Sequence, residues 1–212
     1  MKRNLLFTLI MTSLILTSCF KDDDTPIIIE EVTNNTTIIN EQGGGEDECP
    51  TIVKAGGIAL DETWTADNIY ILDRKVVVQD GVTLTIEPGT IIKGRSGTGS
   101  LSSALIVARG GKIMAEGTAS QPIIMTAEAD NITCGETAGT NLDETNRGLW
   151  GGLIVLGYAP CSFSGDVTQV QIEGIPADDT FGLYGGDDPA DDSGVIQYVS
   201  IRHGWTLIGE WN

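Results

Sequence analysis

The sequence predicts an all-β chain wound as a right-handed parallel β-helix, a β-solenoid, and three observations carry that prediction. The first is composition: 27 glycines, 6% aromatic residues and scarcely any uninterrupted period-3.6 run favour strands joined by tight turns over helices. The second is the stretch from Val82 to Gly94, VTLTIEPGTIIKG, which holds two short β-branched strands joined at a Pro88-Gly89 corner. The third is recurrence. Leu84-Thr85-Ile86 aligns with Leu105-Ile106-Val107 at an offset of 21, and the segment from Gly89 to Gly94 with that from Gly111 to Gly117 at 22, the scale of one solenoid coil. One such coil cannot bury its apolar side alone, whereas stacked coils pair strands above and below around a continuous core.

Taken in order, the chain opens with a basic tetrapeptide, Met1-Lys2-Arg3-Asn4, and an apolar run from Leu5 to Leu16. A membrane-spanning helix needs about 20 apolar residues, so residues 1–18 read as a signal peptide. Leu16-Thr17-Ser18-Cys19 resembles the bacterial lipobox, which makes Cys19 the lipidated residue and the membrane, through that lipid, the first partner. The acidic run Asp22-Asp23-Asp24 behind it resembles the surface-export signal of lipoproteins in Bacteroidetes-type bacteria, and Phe20 argues against inner-membrane retention. The expected location is the outer leaflet of the outer membrane. Residues 19–48 read as a flexible tether of polar and glycine-rich segments, about 30 Å long as a coil; the clusters Ile27-Ile28-Ile29 and Ile38-Ile39 leave open an added edge strand.

The solenoid domain is expected over 49–212, beginning at Cys49-Pro50. Weak strands at Thr51-Ile52-Val53 and from Gly57 to Leu60 precede a segment, Thr63 to Leu72, suited to covering an open end. The coils then follow as Val76-Val77-Val78, Val82 to Gly94, Leu105 to Gly117 and Pro122 to Ala127. Glycines such as Gly81 and Gly89 mark corners where a positive φ is needed. At Glu128 the pattern stops and a polar side loop runs to about 147; solenoids carry specific function in such loops. Strands return from Gly148 to Gly157 and from Val167 to Gly174, and a second side loop spans about 175–194. The final coil, Val195 to Gly204, leaves an open strand edge close to Asn212, which reads as a chain incomplete at its C-terminus or one that oligomerises through that face. Of four cysteines, Cys134 and Cys161 bracket the first side loop. Their pairing in an exported protein would close 27 positions and contribute about 3.5 kcal/mol, leaving Cys49 as a thiol.

The segments LTIEPGTIIKG, SALIVARGGKI, GTASQPIIMTA, GLWGGLIVLG, QIEGIPADD, GLYGGDDPADDSG and YVSIRHG resemble a family of right-handed parallel β-helix cell-surface lipoproteins from Bacteroidetes-type bacteria. The resemblance runs from about Thr63 to Gly204. It implies a β-helix on a lipid anchor, in a family whose members generally have no assigned biochemical role. Trp205 and Trp211 stand where that family carries glycines.

Charge bounds the partners. Twelve Lys and Arg face 30 Asp and Glu, for a net charge of −18, which repels nucleic acid and anionic lipid. The sharpest candidate for chemistry is the acidic loop: Asp187, Asp188, Asp191 and Asp192, with Asp178 and Asp179 nearby, offer hard oxygen ligands suited to calcium, although the spacing does not match an EF-hand. Solvated turn aspartates are the alternative. Arg202 beside His203 invites a base for a polysaccharide lyase or hydrolase. Yet eight acidic residues and no Lys or Arg between Gly148 and Ile201 make a poor cradle for a polyuronate, and both residues also suit a plain coil surface. Trp64, Trp150, Tyr158, Tyr184 and Trp205 are candidate platforms for an extracellular glycan or a surface protein, or core residues. The reading that needs no catalytic site, a structural, adhesive or ligand-binding surface lipoprotein, is the one the sequence favours.

Overall fold

The computed structural model describes residues 27–33, 36–41, 49–173, 175 and 180–208. The expected signal peptide, Cys19, and Asp178 and Asp179 lie outside the described residues. In chain order the strands are β1 (Ile27–Thr33), β2 (Thr36–Glu41), β3 (Thr51–Ile58), β4 (Glu62–Trp64), β5 (Ile69–Val78), β6 (Thr83–Ile86), β7 (Ile91–Gly94), β8 (Ala104–Val107) and β9 (Lys112–Glu116). They continue as β10 (Ile123–Ala127), β11 (Leu153–Val155), β12 (Val170–Gln171), β13 (Leu183–Tyr184), β14 (Gly194–Gln197) and β15 (Val199–Ile201).

The parallel pairings wind these strands into a β-helix with three faces. The first stacks the N-terminal half of β3, that of β5, then β7, β10 and β15. The second stacks the C-terminal halves of β3 and β5 with β8 and β11. The third stacks β4, β6, β9 and β14. Strands β3 and β5 therefore each turn a corner. Coil one makes it with Gly56 at φ 69°; coil two makes it with Arg74 at φ 66°, a left-handed conformation that a non-glycine residue adopts only under constraint from its neighbours.

Coil lengths are uneven, and this corrects the repeat alignment. An offset of 22 separates Ile69 from Ile91, but the segment from Gly89 to Gly94 does not pair with that from Gly111 to Gly117: Ile91 pairs with Ile124, 33 positions on. Leu84, however, pairs with Ile113 rather than with Leu105, and Leu105 pairs with Val76, each 29 positions away. The turn through Arg95 to Ser103 lengthens the third coil, so an alignment at constant period slips by one face. The expected strand from Val167 to Gly174 is also corrected. It contributes only β12, which pairs antiparallel with β13 outside the solenoid, so the second side loop begins right after β11.

Alternation along each strand fills the interior with Leu72, Val76, Leu84, Ile86, Ile92, Leu105, Ile113, Met125 and their neighbours, all buried. Strands β7, β8 and β10 are buried on their outward sides as well. Ile132, Cys49 and Cys134 pack on Val53, Ile69, Ile71, Ile91 and Ile124 of the first face, while Leu156, Ile172, Ile175, Phe181 and Tyr184 pack on Val77, Ala104 and Ile106 of the second. The two side loops are thus outer layers laid against the solenoid.

Two further expectations are corrected. Residues 19–48 are not all tether, because β1 and β2 form an antiparallel hairpin whose second strand pairs antiparallel with β3. Runs of Ile, Val and Thr have the propensity to cover an open edge of unpaired amides and carbonyls. The disulfide joins Cys49 to Cys134, with Cα atoms 5.7 Å apart, and Cys161 is a free, exposed thiol. Cys134 sits on the strip of loop that runs back over coil one, which brings it to Cys49.

Candidate functional site

The residues with the most chemistry gather where the first side loop meets the end of the last coil. A cleft of about 390 Å³ lies between Asp130, Leu142, Asp143, Glu144, Asn146 and Arg147 on the loop side and Arg202, His203 and Gly204 on the coil side. The loop is braced internally. Asn131 donates its amide N–H to Asn141 Oδ1 (3.0 Å) and its side-chain amide to Thr140 Oγ1 (3.0 Å), while Asn141 donates to the Ala129 carbonyl (2.7 Å). The buried Asp130 carboxylate accepts from Thr126 Oγ1 (2.8 Å) and from the Ile132 amide (3.1 Å).

Arg202 and His203 are both committed to this loop. Arg202 donates through Nη2 to the Thr137 carbonyl (2.8 Å) and through Nε to Ser200 Oγ (2.9 Å). His203 approaches the Asn146 carbonyl with Nδ1 at 2.6 Å. A carbonyl only accepts, so Nδ1 carries the hydrogen and the lone pair of the neutral ring sits on Nε2. His203 holds a left-handed φ of 55°. Across the cleft, the hydroxyl and then the amide of Thr145 hold the Asp143 carboxyl below its ordinary 3.8. Asp143, Asn146 and Arg147 were not legible as site residues, because only the fold brings this polar loop to the RHG turn.

The second side loop is fastened in the same manner by Arg109, a residue the sequence did not single out. Its Nη1 donates to the Gly185 carbonyl (3.0 Å) and to Gln169 Oε1 (2.7 Å), and its guanidinium stacks 4.8 Å from the Tyr158 ring.

Of the aspartates expected to hold calcium, Asp187, Asp188, Asp191 and Asp192, the last three serve turns and an ion pair. Asp188 accepts from the Ala190 amide (2.9 Å), and Asp191 from Ser193 Oγ (3.5 Å). Asp192 accepts from the Gly194 amide (2.9 Å) and from Lys112 Nζ (3.0 Å), which holds its carboxyl below 3.8. Among the described residues, no group of three or more His, Cys, Asp or Glu side chains is placed to hold a metal ion.

The aromatic platforms divide similarly. Trp64 and Trp150 are core residues, Trp64 stacked on Tyr70 with ring centres 4.7 Å apart. Tyr158 lies under Arg109, and Tyr184 packs edge-on against Phe163 at 5.7 Å. Trp205, at 91% exposure, is the one of the five left open to solvent.

Comparison with known proteins places this architecture. A family model described as a pectate-lyase-like beta helix domain matches residues 56–208. No curated protein and no solved structure gives a significant match.

Proposed function

We propose, since this chain belongs to the pectate-lyase-like beta helix domain family, that its solenoid is a rigid, non-catalytic scaffold displayed on the outer face of a bacterial outer membrane. It is held there by a lipid on Cys19 and has a structural, adhesive or ligand-binding role. One observation carries the non-catalytic reading: Arg202 and His203 spend donors on main-chain carbonyls of the first side loop. Groups that fasten a loop in this way are positioned as clamps. The anchoring half of the proposal rests on the apolar run from Leu5 to Leu16, the small residue Ser18 before Cys19, and the aspartates that follow. Protease shaving of intact cells tests it, with the full chain followed by blot beside Cys19→Ala. The expected result is removal of the wild-type domain from whole cells and loss of membrane retention in the variant. A domain that stays anchored yet protected would overturn the surface placement.

The cleft favours a second reading, a glycan-binding module or a polysaccharide lyase or hydrolase. It sets the Nε2 lone pair of His203 and the ionised Asp143 in one recess. Release of unsaturated uronides or of reducing ends, lost in His203→Gln with the fold intact, would establish the enzyme. A reproducible glycan-array ligand without turnover would establish the binding module.

A further inference from the structure

One covalent ring encloses most of the solenoid. Cys49 stands two positions ahead of β3 and Cys134 seven positions past the end of β10, so the strands from β3 to β10 all fall inside the ring that their disulfide closes. A sequence separation of 85 leaves 84 residues within it. A pull applied to the chain ahead of Cys49 divides there between the main chain and the bridge. The main-chain branch meets the first residue of β3, whose pairs with β5 would open one after another from Thr51 and Ile69 onward. Broken singly, each backbone pair resists little, since water replaces the lost partner. The bridge branch enters the first side loop, which is fastened at several points at once. Ile132 and Cys134 pack on Val53, Ile69, Ile71, Ile91 and Ile124. On either side of Cys134, Lys93 Nζ donates to the Asp130 carbonyl (2.7 Å), Arg202 Nη2 to the Thr137 carbonyl (2.8 Å) and His203 Nδ1 to the Asn146 carbonyl (2.6 Å). Contacts loaded together share the force, and no residue inside the ring can add length to the chain until the bridge itself is cut.

We infer that the Cys49–Cys134 disulfide is a load path: tension arriving from the N-terminal segment crosses it into the first side loop, and the coils from β3 to β10 stay wound. The cleft lies on the same route. Leu142, Asp143, Asn146 and Arg147 follow Cys134 by eight to thirteen positions. A ligand gripped there would be tied to the N-terminal segment by the bridge and a short stretch of loop, with none of the solenoid between. For the anchored, adhesive protein proposed above, the line from lipid to ligand then runs thirty positions from Cys19 to Cys49, across the bridge and into the loop. That consequence rests on the earlier proposal. The load path itself does not, since it follows from the disulfide and from the fastening of the loop.

The test stretches the full chain in an optical trap between tags at its two ends and reads the length released against force. Oxidised wild type is compared with the same molecule after reductant is added to it folded and held, with Cys134→Ala, and with the control Cys161→Ser at the free thiol. Opening the ring frees 84 residues, about 290 Å at roughly 3.5 Å per residue. Oxidised wild type and Cys161→Ser are expected to stop short of the reduced protein and of Cys134→Ala by that length. The reduced protein and Cys134→Ala are expected to yield part of it in early steps at low force, as β3 and then β5 peel from the N-terminal side. Reduction in place keeps the comparison valid even if Cys134→Ala fails to fold. Two results overturn the inference: an oxidised wild type that reaches the full length, or a reduced protein that holds to the same force as the oxidised one before any coil yields. Neither result bears on the anchoring, which the shaving experiment decides.

Discussion

Cys49 and Cys134 stand 85 residues apart in sequence and 5.7 Å apart at Cα, and their disulfide fastens the first coil to a loop inserted in the fourth. Between them the loop crosses the outward residues of four coils in turn, Val53, Ile69 with Ile71, Ile91 and Ile124, under Ile132. The bridge therefore runs parallel to the solenoid axis and resists separation of the coils.

Removing this bridge tests that description. Closing a loop of 85 positions is worth about 4.5 kcal/mol in the chain-entropy model. Cys134→Ala is expected to lower unfolding stability in urea by up to about that amount and to expose the segment near 133–147 to proteolysis. Cys161→Ser, at an exposed free thiol, is expected to change stability by less than about 0.5 kcal/mol. Equal effects from the two substitutions would contradict the pairing.

Gly94 and Trp150 define a close approach inside the solenoid. A Cβ on Gly94 would meet Trp150 Cε3 and Ser103 Oγ at 2.6 Å, and the buried indole donates from Nε1 to the Arg202 carbonyl at 2.7 Å. Gly94→Ala overpacks this site and is expected to cost about 1–3 kcal/mol. Trp150→Phe strands the carbonyl and is also expected to cost about 1–3 kcal/mol or more. The smaller ring makes room for the alanine, so the double variant should lose less than the sum, which urea midpoints for all four proteins would reveal. Strict additivity would mean that the two side chains do not touch.

The sequence carried the fold well and the site poorly, for separable reasons. Strand chemistry is local: VTLTIEPG reads as strand and corner because its β-branched residues and Gly89, at φ 85°, fit those conformations without help from the rest of the chain. Register is not local. Partners lie 22 positions apart at Ile69 and Ile91, 33 at Ile91 and Ile124, and 81 at Ile113 and Gly194, so a single period cannot find them. The side loops look like free functional insertions because they are polar, and their true placement depends on a few apolar residues. Ile132 in the first loop, and Leu156, Ile172, Ile175, Phe181 and Tyr184 in the second, supply that placement. Cysteine pairing follows from where the loop lies, which spacing alone could not reveal.

Arg202 and Arg109 make separable claims, one loop each. Arg202→Ala removes the bonds to Thr137 and Ser200 and should open 128–147 to limited proteolysis while leaving 156–193 resistant; Arg109→Ala should do the reverse. Each is expected to cost about 1.5–3 kcal/mol, and lysine at either position should recover only part, because an ammonium reproduces neither the Nε and Nη2 fork of Arg202 nor the flat stacking of Arg109 on Tyr158. Mass-spectrometric mapping of the first cleavage sites checks the assignment, and cleavage of both loops in either variant would sink it.

Lys93 provides a prediction in pH. It projects outward from β7 beneath the first side loop, is buried, and donates from Nζ to the Asp130 carbonyl at 2.7 Å. Burial pulls its pKa below the ordinary 10.5, while the charges of Asp130, Glu128 and Glu136 oppose the shift. The folded state thus releases this proton before the unfolded chain does. Between the lowered folded value and 10.5 the unfolded chain binds more protons, so this group makes stability rise with pH across that window. Below the folded value its charge is a fixed cost, and above 10.5 both states are neutral and the cost is gone. Lys93→Met keeps the buried stem and removes the titration. The stability of wild type relative to Lys93→Met, from urea midpoints at a series of pH values, is therefore expected to climb as the pH passes the lowered folded value toward 10.5 and then level off. A difference that stays flat, or falls, would show that the ammonium under the loop reaches water freely and that the loop does not seal it.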